Sequence, residues 1–372
     1  MRNARLLEVF SLASCAAIVW RHFRLWRSEA ANVRQQPTVL PETETPVLKA
    51  TPRISLFVIA YQKDEDPAEQ VRKFETIDYA NKELVLAIGG VHRIEACAQL
   101  AGPNVILVEH PGGWKNVAYK RCYEKATGEI IVLTDANTRF VGDAFLRLVA
   151  PLVNGEEQAS FSRPEPFPDQ RHKLLVELRM SRSADVRAGD SLYSTALPGS
   201  GAAITRRALD AAGGFNPDVL GDDQYMAYRL VEAGFRILAV PASVVQTRAP
   251  DTIGAYIRQQ ARWTRAFYID APRLGRYKET LSALRGAIVG IVMLSLTASL
   301  PLTRRRGIFL LLPPLLHLYL RRQRRIVRAA QLGRFKWRPL HLWGALLQAY
   351  IDFVVSSRAL VEFLHPRWRR RW

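Results

Sequence analysis

Cysteine is scarce in this chain, with only Cys15, Cys97 and Cys122 in 372 residues. No two of them have the spacing of a metal clamp or a redox pair. That excludes a disulfide scaffold and points to reduced thiols in a cytosolic domain. Histidine is thin as well: seven scattered residues share no ligand spacing, so a zinc centre is not expected. Acidic residues are almost missing from the C-terminal hundred. Residues 273–372 hold 20 Lys/Arg against 3 Asp/Glu, a net of +17 in a chain whose total is +19. Residues 50–272 hold 26 against 27 and carry none of the surplus. A basic protein invites a nucleic-acid reading. Here the charge lies beside apolar segments and the globular middle is neutral. That pattern suits flanks facing the cytoplasm and an anionic membrane, and it argues against a nucleic-acid groove.

Long apolar runs are also lacking. Residues 6–20 are apolar except for Glu8, residues 286–303 are uncharged, and residues 307–320 follow after Arg304, Arg305 and Arg306. A spanning helix needs about 20 apolar residues, so the first and third segments are short. Residues 1–29 read as an uncleaved anchor, spanning or interfacial. Residues 30–52, rich in Pro, Thr and Glu, read as a linker. Residues 273–372 read as a basic, membrane-associated helical region. Within it, residues 341–364 carry Asp352, Arg358 and Glu362 and suit the interface. A hairpin of the two central segments would put Arg304 to Arg306 outside, against the positive-inside rule. Re-entrant packing avoids that, and the topology stays open.

What the chain does have is an alternation of short apolar runs and helical patterns through residues 53–272. RISLFVIA at 53–60 is a buried strand, and residues 66–79 follow as a helix. A strand at 84–88 stops at Gly89-Gly90. An Ala-rich helix runs to Leu100, a strand covers 104–109, and a helix covers 115–126. Ile130 to Leu133 is the next strand. This spacing predicts βαβ units and a doubly wound, mainly parallel α/β sheet. The strand at Ile130 ends in Thr134-Asp135-Ala136-Asn137, and ligands bind beyond the carboxyl ends of such strands. A carboxylate and a carboxamide one residue apart can face a hard cation carrying a diphosphate, or they can simply close a turn. Further on, Gly199-Ser200-Gly201 allows close backbone approach. Asp222 and Asp223 open a helix, where the dipole favours acidic residues in any case. Residues 251–268 form a helix on which Gln259, Arg262 and Trp263 share one face.

In this order the motifs resemble the family 2 inverting glycosyltransferases with the A-type nucleotide-diphospho-sugar transferase fold. They resemble its membrane-bound branch, with cellulose and hyaluronan synthases and ceramide glucosyltransferases, which carries Gln-x-x-Arg-Trp. The resemblance covers residues 53–267. It implies that Asp223 is the catalytic base, and that Asp135 binds Mg²⁺ or Mn²⁺ with Asn137 beside it. Ala60, Tyr61, Lys115, Asp135 and Arg262 would hold the donor diphosphate. Gly199, Ser200, Gly201, Asp222, Gln259 and Trp263 would hold the acceptor. The implied donor is a nucleotide-diphospho-sugar, UDP-sugars first, and the acceptor a lipid, lipid-linked glycan or polysaccharide. The implied place is the inner membrane, with the catalytic domain in the cytoplasm and no nucleic acid involved. The family's second metal aspartate is Asn137 here. Ile88-Gly89-Gly90-Val91 stands where Asp-Asp-Gly-Ser is usual, so the expected base-contacting aspartate is missing. A scaffold with a degenerate transferase domain and a processive polymer synthase are the alternatives.

Overall fold

The computed structural model describes residues 2–35, 44–183 and 192–365. Residues 36–43 of the expected linker and 366–372 of the basic tail lie outside them. The chain divides into two units, one built on a sheet and one built of helices. The elements in chain order begin with α1 (Arg2–Gln35), β1 (Ile54–Ala60), α2 (Pro67–Glu75), β2 (Lys82–Gly89), β3 (Val105–His110), α3 (Lys115–Lys125) and β4 (Ile130–Leu133). They continue with β5 (Thr138–Phe140), α4 (Ala144–Val153), β6 (Ala159–Pro166), α5 (Leu174–Ser183), β7 (Tyr193–Ser194), β8 (Ala202–Thr205), α6 (Arg206–Ala211) and α7 (Asp222–Glu232). The last are β9 (Ile237–Thr247), α8 (Ile253–Arg273), α9 (Tyr277–Gln331) and α10 (Leu340–Leu364).

The sheet runs β3-β2-β1-β4-β8-β6-β9-β5, with β7 pairing β9. β1 lies between β2 and β4, parallel to both, and β2 is parallel to β3. These are the strands that the alternating pattern predicts. β8 enters antiparallel to β4, and β6 is antiparallel to β8, so the sheet is mixed beyond β4. The register decides where the site falls. Ala60 is level with Ile88, Gly89 with His110, and Leu133 with Phe57, so four strands end along one edge. Because β8 is antiparallel, it starts where they end: Ala202 pairs Leu133. That brings the Gly199 turn to the Asp135 turn. Apolar layers cover both faces, which is why β1 and β4 are buried throughout and apolar except for Ser55. The Ala-rich helix expected before Leu100 is only a 3₁₀ turn at Glu95–Leu100, with no buried residue to hold a longer helix.

The opposite ends of β1, β2 and β4 are tied by one carboxylate. Glu83 is 1% exposed and accepts from Ser55 Oγ at 2.6 Å, Thr127 N at 2.6 Å and Thr127 Oγ1 at 2.8 Å. It also accepts from Gly128 N at 3.2 Å and from the Arg53 guanidinium at 3.0 and 3.1 Å. Gly128 must be glycine, since a Cβ there would lie 2.5 Å from Ser55 N.

In the helical unit, Ser11 Oγ on α1 donates to Phe309 O of α9 at 2.7 Å, and His22 lies 3.1 Å from His317. α1 runs to Gln35, so residues 30–35 are helical where a linker was expected. The segments at 286–303 and 307–320 are not separate: α9 carries Arg304 to Arg306 within a single helix. It is sharply bent. A Cβ on Gly290 would sit 2.7 Å from Phe353 O, while Arg322 is ion-paired with the neighbouring Asp352. In a straight helix Gly290 and Arg322 would be about 48 Å apart. Pro301, Pro313 and Pro314 lie inside the helix and account for bending.

The helices α1, α9 and α10 contain apolar stretches long enough to cross a membrane: Arg5–Ser28, Tyr277–Thr303 and Leu340–Leu364. They differ in burial. The most apolar windows of the first two are 11% and 17% buried within the protein, against 44% for α10.

Glu83→Ala should lower stability by about 3–5 kcal/mol, because it leaves Arg53 and several donors unpaired. Hydrogen bonds to Glu83 oppose the effect of burial and hold its pKa below the usual value. Its contribution is therefore present above the ordinary glutamate range and lost as pH falls through the depressed folded pKa. Thermal unfolding of the full chain against pH, for wild type and variant, measures both effects.

Candidate functional site

The site sits on the edge where β1 to β4 end and β8 begins. Lys115, the first residue of α3, is its centre. The Lys115 ammonium is ion-paired with Asp135 Oδ1 and lies 3.9 Å from Asp222 Oδ2. Burial works against the Lys115 charge, but the Asp135 and Asp222 carboxylates prevail and hold its pKa well above the lysine value. Lys115 therefore stays cationic between the turn after β4 and the start of α7.

Asp222 and Asp223 occupy the first turn of α7. Asp223 Oδ1 accepts from Gln224 N at 2.8 Å. Asp223 is an exposed residue whose carboxyl nevertheless lies among surrounding protein atoms. That desolvation and the Asp222 charge push its pKa up to about 7, against the pull of the Gln224 amide and Lys115. Gly199 lies directly against this pair: a Cβ on it would be 3.8 Å from Asp223 Cβ and 3.9 Å from Asp222 Oδ2. The hydroxyl of Thr134 donates to Ser200 O at 3.5 Å. Gly201 has a packing reason of its own, since a Cβ there would press on Ser162 and Val245 at 3.1 Å.

Beside Lys115 a small cavity is lined by Tyr61, Glu65, His110, Gly113, Thr134 and Asp135. Tyr61 faces this cavity, whereas Ala60 is wholly buried in the core. The Tyr61 and His110 rings lie 4.9 Å apart. His110 Nδ1 accepts from Gly112 N at 3.3 Å, and burial, with Arg121 nearby, lowers its pKa, so the ring is neutral. Glu65 accepts from Tyr61 N and Gln62 N at 2.8 Å each and fixes the turn after β1. Gly90 packs against the backbone of Tyr61: a Cβ on it would lie 2.2 Å from Tyr61 O. His110 and Glu65 were not singled out in the sequence. A histidine ending the third apolar strand was the available signal.

The donor set suits a hard divalent cation. Asp135 offers a carboxylate at the strand end, and Asn137 an exposed amide whose Oδ1 accepts from Thr247 at 3.3 Å. Two protein oxygens leave the rest of the shell to water and phosphate oxygens. Among the described residues no three His, Cys, Asp or Glu gather as a metal cluster. Gln259, Arg262 and Trp263 lie on α8, in the helical unit. Trp263 is 43% exposed, and Arg179 stands 5.8 Å from its ring centroid. Gln259 Oε1 is buried without a hydrogen-bond partner among the described residues.

Residues 52–266 match the family model described as glycosyltransferase like family 2. An N-acetylglucosaminyltransferase of Rhizobium leguminosarum bv. viciae is 25% identical over 70% of this chain and 68% of its own length. One from Neorhizobium galegae is 23% identical over 71% and 67%. A mannosyltransferase from Pyrobaculum calidifontis, solved with GDP-Man and Mn²⁺, superposes with a TM-score of 0.58 at 20% identity. That likeness covers 94% of this chain and 98% of the other, and it establishes the A-type glycosyltransferase fold.

Asp222→Asn should bring the Asp223 titration down from about 7 toward the ordinary carboxylate range, because it removes the neighbouring negative charge. Carboxyl ¹³C NMR titration of the two forms checks this.

Proposed function

The chain belongs to the glycosyltransferase like family 2 and is a glycosyltransferase, and from that premise we propose an inverting, membrane-associated enzyme that moves a sugar from a nucleoside diphosphate to an acceptor hydroxyl. The observation that carries this reading is Lys115, which reaches both Asp135 and Asp222 and so links a diphosphate side to a hydroxyl side.

The chemistry follows from the groups present. The Asp223 carboxylate takes the proton of the acceptor hydroxyl as that oxygen attacks the anomeric carbon. The bond from the anomeric carbon to the diphosphate breaks, and the nucleoside diphosphate leaves with its electron pair. Lys115 offsets the charge that develops on it. Attack from the face opposite the leaving group inverts the anomeric centre. A Mg²⁺ or Mn²⁺ ion held by Asp135 and Asn137 would supply further charge neutralisation of the diphosphate. The Tyr61 and His110 rings, tilted by 47° to each other, offer aromatic surface for the nucleotide base where the family's aspartate is absent. The naming of the rhizobial relatives supports an N-acetylglucosaminyl donor, with UDP as the first nucleotide to try. The roles of Gln259, Arg262 and Trp263 in holding the diphosphate and the acceptor rest on motif order.

The helical unit supports membrane attachment. α1 and the first part of α9 leave their apolar windows mostly uncovered, and residues 273–372 carry net +17. A lipid or lipid-linked acceptor at the cytoplasmic face of the inner membrane suits that arrangement. Three apolar helices of membrane length among the described residues offer little to line a channel, which favours a non-processive enzyme over a polymer synthase.

Asp223→Asn should reduce transfer by about 10²–10⁴-fold while donor affinity stays near wild type. In the wild type, transfer should fall as pH drops through about 7, where the Asp223 base becomes protonated. A panel of nucleotide sugars with Mg²⁺ or Mn²⁺ is the assay, and transfer by the variant within a few-fold of wild type would remove Asp223 from the role.

Membranes washed with carbonate or high salt should retain the protein, and only detergent should release it. Release by carbonate would mean peripheral binding through charge alone.

A further inference from the structure

In the helical unit, Arg322 is a buried cation that shares its carboxylate with a second arginine. Asp352, midway along α10, is paired with two arginines from two other helices. Arg182 Nη1 on α5 lies 3.2 Å from Asp352 Oδ1 and donates to Tyr256 Oη on α8 at 3.0 Å. Arg322 on α9 holds the other oxygen, Asp352 Oδ2. Arg322 is only 7% exposed, and among the described residues neither its Nε nor its Nη1 has a hydrogen-bond partner. Arg325 adds to the positive field around it.

A buried guanidinium is costly to desolvate, and leaving its N–H groups unmade adds to the cost. One carboxylate shared by two guanidiniums leaves one surplus charge and two unused donors. A single tetrahedral anion answers both deficits, because a guanidinium offers its donors as a fork that matches two phosphate oxygens. The Arg182 side chain is 33% exposed, so the cluster opens to solvent on its Arg182 side. Its surroundings select the ligand. α9 and α10 both contribute, both contain apolar stretches of membrane length, and residues 273–372 carry net +17.

We propose that Arg182 and Arg322, bridged by Asp352, form a binding site for a phosphate group, of the kind a membrane lipid carries in its headgroup. The site lies outside the Asp135, Lys115 and Asp223 group, and its test reads binding and not transfer, so it stands or falls apart from the proposed reaction.

The test uses the full chain in a neutral detergent. Phosphatidic acid, phosphatidylglycerol, diacylglycerol and inorganic phosphate are titrated separately against thermal unfolding, and native mass spectrometry counts retained lipid. The phosphate-bearing lipids should raise the unfolding temperature saturably with one lipid retained per chain, and diacylglycerol should not. A matching shift by inorganic phosphate alone would assign the site to the free ion. Arg322→Gln and Arg182→Gln should each weaken binding by at least about tenfold. Asp352→Asn should tighten it, because it removes the competing carboxylate; a purely structural cluster would not respond in that direction. Lys278→Gln, an exposed charge on the same helix, should leave binding unchanged. No shift with any phosphate compound, or equal losses from Lys278→Gln and the two arginine variants, would overturn the proposal.

Discussion

The buried Glu83 carboxylate is the constraint on which the placing of the site depends. It gathers the starts of β1, β2 and β4 by accepting from Ser55, Thr127, Gly128 and Arg53. In a sheet a slip of one residue turns every side chain to the other face. β4 has only four residues, so its own ladder specifies its register weakly. Glu83 supplies the missing specification at one end, and the consequence appears at the other. With Leu133 level with Phe57, the turn carrying Asp135 opens beside Tyr61 and next to the glycines before β8. A carboxylate far from the chemistry thus sets the positions of the groups at the site.

At the site itself the organising charge is Lys115. Three carboxylates converge there, and without a cation their mutual repulsion would have to be relieved by protonation or by spreading apart. Lys115 is paired most closely with Asp135 and more loosely with Asp222. Burial, with the Asp222 charge beside it, pushes the Asp223 carboxyl up to about 7 against the weaker pull of Lys115. Unequal sharing of one ammonium sets Asp223 apart from Asp135 and Asp222 as the residue that exchanges protons near neutrality. That division is what a charge-holding side and a proton-accepting side require.

The parallel half of the sheet was legible in the sequence because each strand is a short β-branched run between turn signals. Asp135, Lys115, Asp222, Asp223 and Gly199 were all in view as candidates, and the structure gathers them around one ammonium. The elements within residues 138–197 were not legible. β6 carries two prolines and a glutamate, and β5 has three residues, so neither presents a period to read. The antiparallel entry of β8 could not be seen either, since a strand's direction depends on its partners and not on its own residues. His110 escaped notice because a lone histidine at a strand end has no spacing to mark it. Only the register with Gly89 gives it the Tyr61 ring as a neighbour.

The helical unit shows why apolar content alone misleads about membrane segments. α10 is long and apolar enough to span, yet Asp352 and Glu362 on it are both ion-paired within the protein, to Arg182 and Arg322 and to Arg265 and Arg358. A carboxylate needs such partners before it can leave water, and the partners come from α5, α8, α9 and α10 itself. The apolar face of α10 is therefore used largely for packing inside the unit. Uncovered apolar surface is then concentrated on α1 and the first part of α9. The bend in α9 bears on the arginines at 304–306. Because the helix returns toward α10, its two apolar segments need not cross a bilayer in line, and the positive-inside rule does not force a choice between them. A bent helix with arginines in its middle is compatible with entering the membrane from one side and turning back, a route that two separate spanning helices would not share.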